Sequence, residues 1–218
     1  MGGVSPIGVA VADFDQDGDA DLATINIASS DVSLLRNDSQ HRFGLLPEPR
    51  KVGQGPIDLA VGDFDGDLRP DLATVSGQGR SITLLRDPMN EAAKPVVSLP
   101  TELKAFRLTA VGPDRTGKQS LYVSVEGNSL GRVDWQPDGT IKVRGRVHVG
   151  PGPLGILFAA LDRDGDGDLA ACCQLGKSVA VTLQEGEGVW APPRTTPLPG
   201  SPFGLACGDL DGDEQPDL

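Results

Sequence analysis

Short apolar segments recur along the chain, and each leads into an acidic loop. Five such segments, rich in Val, Ile and Leu, have the sequences IGVAVA, IDLAVG, FRLTAV, LGILFAA and FGLACG. Four of the five follow a proline, which is tolerated at the first residue of a strand: Pro6, Pro56, Pro153 and Pro202. The pattern therefore predicts five buried strands, each of which ends at an acidic loop.

Further apolar segments follow the acidic loops. The first set has the sequences DLATINI, DLATVSG, SLYVSV and DLAACCQ, and the second has VSLLRND, ITLLRD, GRVDWQPDG and VAVTLQEGEG. The second set ends in Asn, Asp, Pro or Gly, which favour turns. Proline-bounded segments such as RKVGQGP and VRGRVHVGPGP predict a weaker fourth strand. No helical periodicity persists beyond a turn or two, so the chain is predicted to be all-β.

The acidic loops define the period of the repeat. Loop 1 spans residues 13–22, loop 2 spans 63–72, loop 3 spans 112–121, loop 4 spans 160–169 and loop 5 spans 209–218. Successive loops therefore begin 50, 49, 48 and 49 residues apart. Four short strands at this period are typical of one propeller blade, so the sequence predicts a β-propeller built of four-stranded blades.

Residues 1–218 are predicted to form a single repeat array. The predicted blades are 5–54, 55–103, 104–151 and 152–200, with a partial blade at 201–218. Closed propellers of this type need roughly six to eight blades. We therefore expect an open arc of four blades with one orphan strand, as a part of a larger propeller.

Loop 1, DFDQDGDADL, places aspartates at alternate positions without a basic residue among them. A solvated acidic surface has no reason to keep this D-x-D-x-D-x-x-x-D spacing. A cation of calcium's size takes roughly six to eight oxygens, and a chain that curls around it can offer side chains from positions 1, 3, 5 and 9 and a carbonyl from position 7. Magnesium suits this arrangement less because it demands a tight octahedron and retains its waters.

The predicted calcium ligands occupy equivalent positions in four loops. Position 7 supplies a backbone carbonyl, from Asp19, Arg69, Asp166 and Gln215. The carboxylate ligands are Asp13, Asp15, Asp17 and Asp21 in loop 1; Asp63, Asp65, Asp67 and Asp71 in loop 2; Asp162, Asp164 and Asp168 in loop 4; and Asp209, Asp211, Asp213 and Asp217 in loop 5. Position 6 is predicted to adopt a left-handed conformation, which suits a glycine there.

Differences between the loops rank the predicted sites. Loop 1 keeps every ligand and is expected to bind most tightly, whereas loop 4 has Ala160 at position 1 and would need a water there. In loop 3 only Asp114 survives among the carboxylates, so that loop is predicted to bind no ion. Replacing Asp15 or Asp21 with alanine is expected to lower the melting temperature in calcium much more than in chelator, and replacing Asp114 to do neither.

The segments VGDFDGDLRPDLATV and CGDLDGDEQPDL resemble the FG-GAP and VCBS repeats of the integrin-α-like β-propeller superfamily, and the resemblance covers the whole chain. An EF-hand is disfavoured, because it requires flanking helices and a bidentate glutamate at position 12. The resemblance implies an extracellular, cell-surface or periplasmic, non-catalytic module that recognises a protein or glycan. The alternative is an accessory segment of a larger secreted enzyme, such as a polysaccharide lyase or phospholipase.

The formal net charge of −12 disfavours nucleic acid as a partner, because a phosphate-binding surface needs clustered Lys and Arg. No apolar stretch approaches the roughly 18 residues of a membrane span, so no membrane insertion is expected. No catalytic constellation surrounds His41 or His148. Cys172 and Cys207 align with apolar strand positions of other repeats, and we expect them to act as small hydrophobes.

Overall fold

The structure is a computed structural model that describes residues 3–40, 42–90, 96–98, 105–113, 119–135, 141–162, 164–186 and 188–218. Strands are the regular elements of these residues, and no helix among them is long and apolar enough to cross a membrane. Asp114 and Lys118 of loop 3, and His41, lie outside the described residues.

Each of the first two repeats forms one antiparallel sheet in which strands neighbour each other in chain order. The first sheet contains β1 (Pro6–Ala12), β2 (Asp21–Asn26), β3 (Asp31–Asn37) and β4 (Phe43–Leu45), and β5 (Arg50–Lys51) also pairs with β3. The second sheet contains β6 (Pro56–Gly62), β7 (Asp71–Ser76), β8 (Ser81–Leu85) and β9 (Val96–Ser98).

The third and fourth repeats follow the same plan, with one addition. The third sheet contains β10 (Leu108–Pro113), β11 (Gln119–Ser124), β12 (Ser129–Trp135) and β13 (Ile141–His148). The fourth sheet contains β14 (Pro153–Ala159), β15 (Asp168–Cys173), β16 (Ser178–Thr182) and β19 (Arg194–Pro197). Between β16 and β19 the chain makes a separate two-stranded hairpin from β17 (Gln184–Gly186) and β18 (Val189–Trp190).

The sheets face one another through their buried side chains. The first strands of successive sheets contact each other, β1 with β6, β6 with β10 and β10 with β14. Between the first two sheets, Phe14 and Ile25 share a hydrophobic cluster with Leu72 and Leu85 of the second sheet. Four-stranded antiparallel sheets stacked face to face along their first strands are the blades of a β-propeller, so the predicted fold class is confirmed.

Prolines begin three of the first strands, as predicted: Pro6, Pro56 and Pro153. The prediction that every first strand is buried was wrong, however. Strand β1 exposes Ile7, Val9 and Val11, whereas every residue of the second strands β7 and β15 is buried. The physical reason is position in the sheet, because a second strand has a neighbouring strand on both sides and side chains stacked on it from the next sheet.

The fifth predicted strand, FGLACG at residues 203–208, is also absent. In this part of the chain the structure has one isolated bridge, between Gly208 and Asp217. In the first, second and fourth repeats the first strand pairs with a second strand that begins at the last aspartate of the loop. Residues 203–207 form no such backbone ladder with any of the described residues, and a strand is defined by that pairing.

Candidate metal centre

The acidic loops connect the first strand of a sheet to the second, and the aspartate at position 1 organises the turn. In loop 1, Asp13 Oδ1 accepts the N–H of Asp17 at 3.1 Å, and Asp13 Oδ2 accepts the N–H of Gly18 at 3.0 Å. The same pattern joins Asp63 to Asp67 and Leu68, and Asp209 to Asp213 and Glu214. These bonds fold the loop back on itself and direct its side chains inward.

Position 6 has the left-handed conformation that was predicted from its glycines. The φ angles are 97° at Gly18, 65° at Leu68, 90° at Gly165 and 64° at Glu214. A leucine or glutamate in this region is strained by roughly 1 kcal/mol or more, which the loop must offset elsewhere. Position 4 is left-handed as well, with φ angles of 62° at Gln16, 88° at Gly66 and 85° at Gly212. Glycine at position 4 of loops 2 and 5 is the sequence signal for this feature, which the sequence analysis missed.

Three loops gather carboxylates closely enough to hold one ion. One oxygen from each of three aspartates lies within 4.8 Å of the others. The three sets are Asp13, Asp15 and Asp17; Asp63, Asp65 and Asp71; and Asp209, Asp211 and Asp217. Among the described residues, loop 4 contributes no such set, although Asp162, Asp164 and Asp168 are present there.

The aspartate at position 9 is a structural residue as well as a candidate ligand. Asp21 is fully buried, and its Oδ2 accepts the N–H of Phe14 at 3.1 Å while its Oδ1 accepts the N–H of Asn37 at 2.8 Å. It thereby ties the loop to the end of the third strand. Equivalent bonds join Asp71 to Phe64 and Asp87, Asp168 to Leu161 and Gln184, and Asp217 to Leu210. The expectation that replacing Asp21 matters much less in chelator is therefore revised, because these bonds need no ion.

Burial, and to a smaller extent neighbouring carboxylates, raise the pKa values of the position-9 aspartates of loops 1 and 2. Burial, with a smaller contribution from the nearby charges of Asp65 and Asp67, raises the pKa of Asp71 to about 7. Burial also raises the pKa of Asp21, to which Asp15 and Asp17 add. A bound cation would favour the ionised form of each group and lower these pKa values.

An arginine at the end of the third strand faces each of the first two loops, Arg36 within β3 and Arg86 directly after β8. Arg36 Nε lies 2.6 Å from Asp15 Oδ2, and Arg86 Nη1 lies 3.5 Å from Asp65 Oδ2. No basic residue lies within loop 1 itself, and these contacts were not predicted from the sequence. The shared motif LLR at the end of the two third strands is the signal, since the strand order brings its arginine next to the acidic loop. In the fourth repeat Leu183 stands at the equivalent place.

Two carboxylate oxygens of the loops are buried without a hydrogen-bond partner among the described residues. They are Oδ1 of Asp15 and Oδ1 of Asp166. The other oxygen of Asp15 is bound by Arg36, which leaves Oδ1 as the oxygen that is available to a cation. A buried acceptor without a donor is costly, and a cation that takes only oxygen ligands would satisfy it.

The backbone N–H groups of the position-7 residues form hydrogen bonds within the acidic loops. The N–H of Asp19, Arg69, Asp166 and Gln215 each donates to Oδ1 of the aspartate two residues earlier, at 3.0, 2.9, 3.0 and 2.8 Å. The side chain of Asp19 accepts a hydrogen bond from Ser39 Oγ, so this carboxylate is turned toward the third strand. The predicted use of these residues through their carbonyl oxygens stays a prediction.

The cysteines stand apart from the acidic loops. All three are free, with Cys172 and Cys173 buried in β15 and Cys207 partly exposed. Burial raises the pKa of Cys173 to about 11, so this thiol is protonated near neutral pH.

A family model described as an FG-GAP-like repeat matches residues 13–74 and 161–218, more than half of the chain. No curated protein matches. Among solved structures, a functionally unknown protein from Desulfotomaculum acetoxidans is similar at 13% identity and a TM-score of 0.68, over 95% of this chain and 61% of that one. A putative 6-phosphogluconolactonase from Bacteroides fragilis is similar at 16% identity and a TM-score of 0.65, over 94% and 58%.

A periplasmic gluconolactonase from Pseudomonas aeruginosa is similar at 15% identity and a TM-score of 0.61, over 88% of this chain and 54% of that one. At these identities the likeness concerns the fold alone. The chain spans between 54% and 61% of the length of these three structures.

Proposed function

Because this chain belongs to the FG-GAP-like repeat family, we propose that its acidic loops bind calcium and that the ions stiffen a propeller used for recognition. Recognition of a protein or glycan, without catalysis, is the role that we assign to it. The proposal concerns the repeats of this chain, and the partner would contact surfaces of the blades that the ions hold in place.

The observation that carries the proposal is the convergence of three carboxylate oxygens in each of loops 1, 2 and 5. Like charges at this separation repel, and folding would disperse them unless a cation offsets the repulsion. The buried and unpartnered Oδ1 of Asp15 supports the same conclusion, because it needs a positive or donating partner. The residues therefore fit a hard divalent cation.

Calcium is favoured over magnesium by the chemistry of the donors. The loops supply carboxylates from a single irregular turn, and calcium accepts irregular oxygen cages that the smaller ion does not. Loops without the support of paired helices should bind calcium in the range of about 10⁻⁴ to 10⁻³ M, as extracellular modules do. We therefore assign the protein to the extracellular space, the cell surface or the periplasm.

A second candidate function is that the chain is a segment of a larger secreted enzyme. What favours it is that the chain spans little more than half of the similar structures, two of which carry lactonase names. In this second candidate the loops still bind calcium, and the propeller is part of an enzyme instead of a recognition module. It predicts hydrolysis of a sugar lactone by the longer protein, which an assay of lactone opening would detect.

The test is a melting curve of the chain in calcium, in magnesium and in chelator. At a calcium concentration ten times the Kd of a site, each occupied site should add about 1.4 kcal/mol to the free energy of unfolding. Calcium should raise the melting temperature, and magnesium at the same concentration should raise it less. If the melting temperature is the same in calcium and in chelator, the loops are acidic turns and the proposal fails.

A further inference from the structure

A cleft between the third and fourth blades is the strongest unassigned feature of the molecule. It has a volume of about 370 Å³, and one wall is formed by Arg132 and Asp134 of β12 with Arg144 and Arg146 of β13. Tyr122 and Trp190 line the other side. The hairpin of β17 and β18, which supplies Trp190, is an addition to the common blade plan, so this cleft is specific to this pair of blades.

The residues that line the cleft carry a net positive charge, although the protein as a whole is acidic. Three arginines face one aspartate, a formal charge of +2, in a chain whose net charge is −12. Asp134 accepts from both neighbours, with Arg132 Nε at 2.9 Å from Oδ1 and Arg144 Nε at 3.3 Å from Oδ2. Among the described residues, Arg146 has no ion-pair partner. One aspartate therefore holds two guanidinium groups in place without cancelling the charge of the cleft.

A second network fixes the aromatic side of the cleft. Trp190 Nε1 donates to the hydroxyl of Tyr122 at 3.1 Å, and the two rings meet edge to face with centroids 5.7 Å apart. Arg132 also forms a side-chain hydrogen bond with Tyr122, so the aromatic pair is linked to the arginine and aspartate network. Side chains held by one another in this way lose little freedom when a ligand binds.

We propose that this cleft binds an acidic sugar unit, through its carboxylate or sulfate group. The guanidinium of Arg144 contacts Asp134 through Nε, and its Nη atoms can donate to a second oxyanion, as arginine does in bidentate pairs. A concave site of a few hundred cubic ångströms suits a small ligand, whereas a protein partner needs a surface of roughly 800 Å². Tyr122 and Trp190 add apolar area and polar tips beside the charged wall.

The choice of a sugar as the carrier of the oxyanion rests on the proposed recognition role, but it does not depend on calcium. The test is a titration of the chain with a digalacturonate, a sulfated disaccharide, a neutral disaccharide of the same size and inorganic sulfate, each followed by calorimetry. The titration is run both in calcium and in chelator. Failure of calcium to stabilise the protein would then be distinguishable from failure of the cleft to bind a sugar.

We expect saturable binding of one or both acidic disaccharides and a strong decrease of affinity with salt. The Arg144→Gln and Arg146→Gln variants should each weaken binding about tenfold or more, because a charge-assisted hydrogen bond is lost. Lys142→Gln is the matched control, since this lysine lies on the same strand β13 and does not line the cleft. It should change the affinity less than threefold while removing the same charge.

Three outcomes would overturn the proposal. The parent could bind neither acidic disaccharide, or the arginine variants could bind as tightly as the parent while their melting temperatures are unchanged. Equal affinity for inorganic sulfate and for the acidic disaccharides would also contradict it, because the sugar would then contribute nothing. A variant that does not fold is replaced by Arg144→Lys, which keeps the charge, removes the bidentate geometry and is expected to bind more weakly than the parent.

Discussion

Loop 1 and loop 4 share aspartates at positions 3, 5, 7 and 9, and they differ at position 1, where loop 1 has Asp13 and loop 4 has Ala160. Both keep a buried position-9 aspartate that binds two backbone N–H groups. Loop 1 draws three carboxylates together, and loop 4 shows no such set among the described residues. Position 1 is thus what converts an acidic turn into a candidate ion site.

The repeated aspartates perform two separate tasks in these loops. Position 9 fastens the loop to the third strand through backbone hydrogen bonds, and it does so in loops with and without a carboxylate set. Positions 1 and 3 collect charge in all three carboxylate sets, joined by position 5 in loop 1 and by position 9 in loops 2 and 5, and this arrangement is favourable only if a cation is present. Four predictions test this division, in order of decreasing expected effect.

The largest effect should come from Asp21→Ala. Two buried N–H groups lose their acceptor, which costs roughly 1 to 3 kcal/mol each, so the free energy of unfolding should fall by roughly 2 to 6 kcal/mol. Urea denaturation should show a similar loss in calcium and in chelator. Asp168→Ala in loop 4 is the matched control and should behave alike. A loss confined to calcium would mean that Asp21 acts only as a ligand.

Asp13→Ala should make loop 1 behave like loop 4. The variant should bind one calcium ion fewer than the parent, and at ten times the Kd it should lose about 1.4 kcal/mol of calcium-dependent stability. Ala160→Asp is the reciprocal change and should tighten calcium binding at loop 4, so that this loop fills in the same range of about 10⁻⁴ to 10⁻³ M as loop 1. Calcium stoichiometry by equilibrium dialysis measures both. If both variants bind calcium with the same stoichiometry as the parent, the residue at position 1 does not decide whether a loop binds an ion.

Asp15→Ala should reduce stability in calcium by an amount close to that of Asp13→Ala. In chelator the change should be much smaller, because the variant also removes one like charge from the loop. The melting temperature in the two media gives the comparison directly. The idea that position 3 supplies a ligand would be refuted by equal losses in calcium and in chelator.

Arg36→Gln should have the smallest effect. The ion pair with Asp15 is half exposed, so its loss should cost up to about 1 kcal/mol in chelator. In calcium the loss should be smaller still, since the ion then offsets the charge of the same carboxylate. Arg86→Gln removes a longer contact of 3.5 Å, so its loss of stability in chelator should be smaller than that of Arg36→Gln. This loss, too, should be smaller in calcium than in chelator. A larger loss in calcium than in chelator would instead make Arg36 a residue that positions Asp15 for the ion.

The repeat and the strand order could be predicted because both follow from local sequence patterns. Proline starts, alternating aspartates and turn residues recur near every 49 residues, and the antiparallel sheets follow from short connections. The exposure of Val9 in β1 was not predictable in this way, because it depends on which sheet packs on which face. The missing strand at residues 203–208 likewise depends on a partner strand and not on its own composition.

The residue types of the candidate site could be predicted from the sequence. Which aspartates bind backbone N–H groups and which gather into a carboxylate set could not. Alternating aspartates indicate a cation, but the burial of Asp21 and its bond to the Asn37 N–H depend on how the third strand returns to the loop. Arg36 lies 21 residues from Asp15 in sequence, and only the sheet order brings them together. The arginine cleft joins residues from two blades and a hairpin that the repeat pattern does not contain.

The most direct test of the central claim is the number of calcium ions bound by the parent chain, measured by equilibrium dialysis across about 10⁻⁵ to 10⁻² M calcium. The account predicts three ions, one each for loops 1, 2 and 5, with dissociation constants of about 10⁻⁴ to 10⁻³ M, and weaker binding at loop 4. Absence of saturable binding over this range would contradict it.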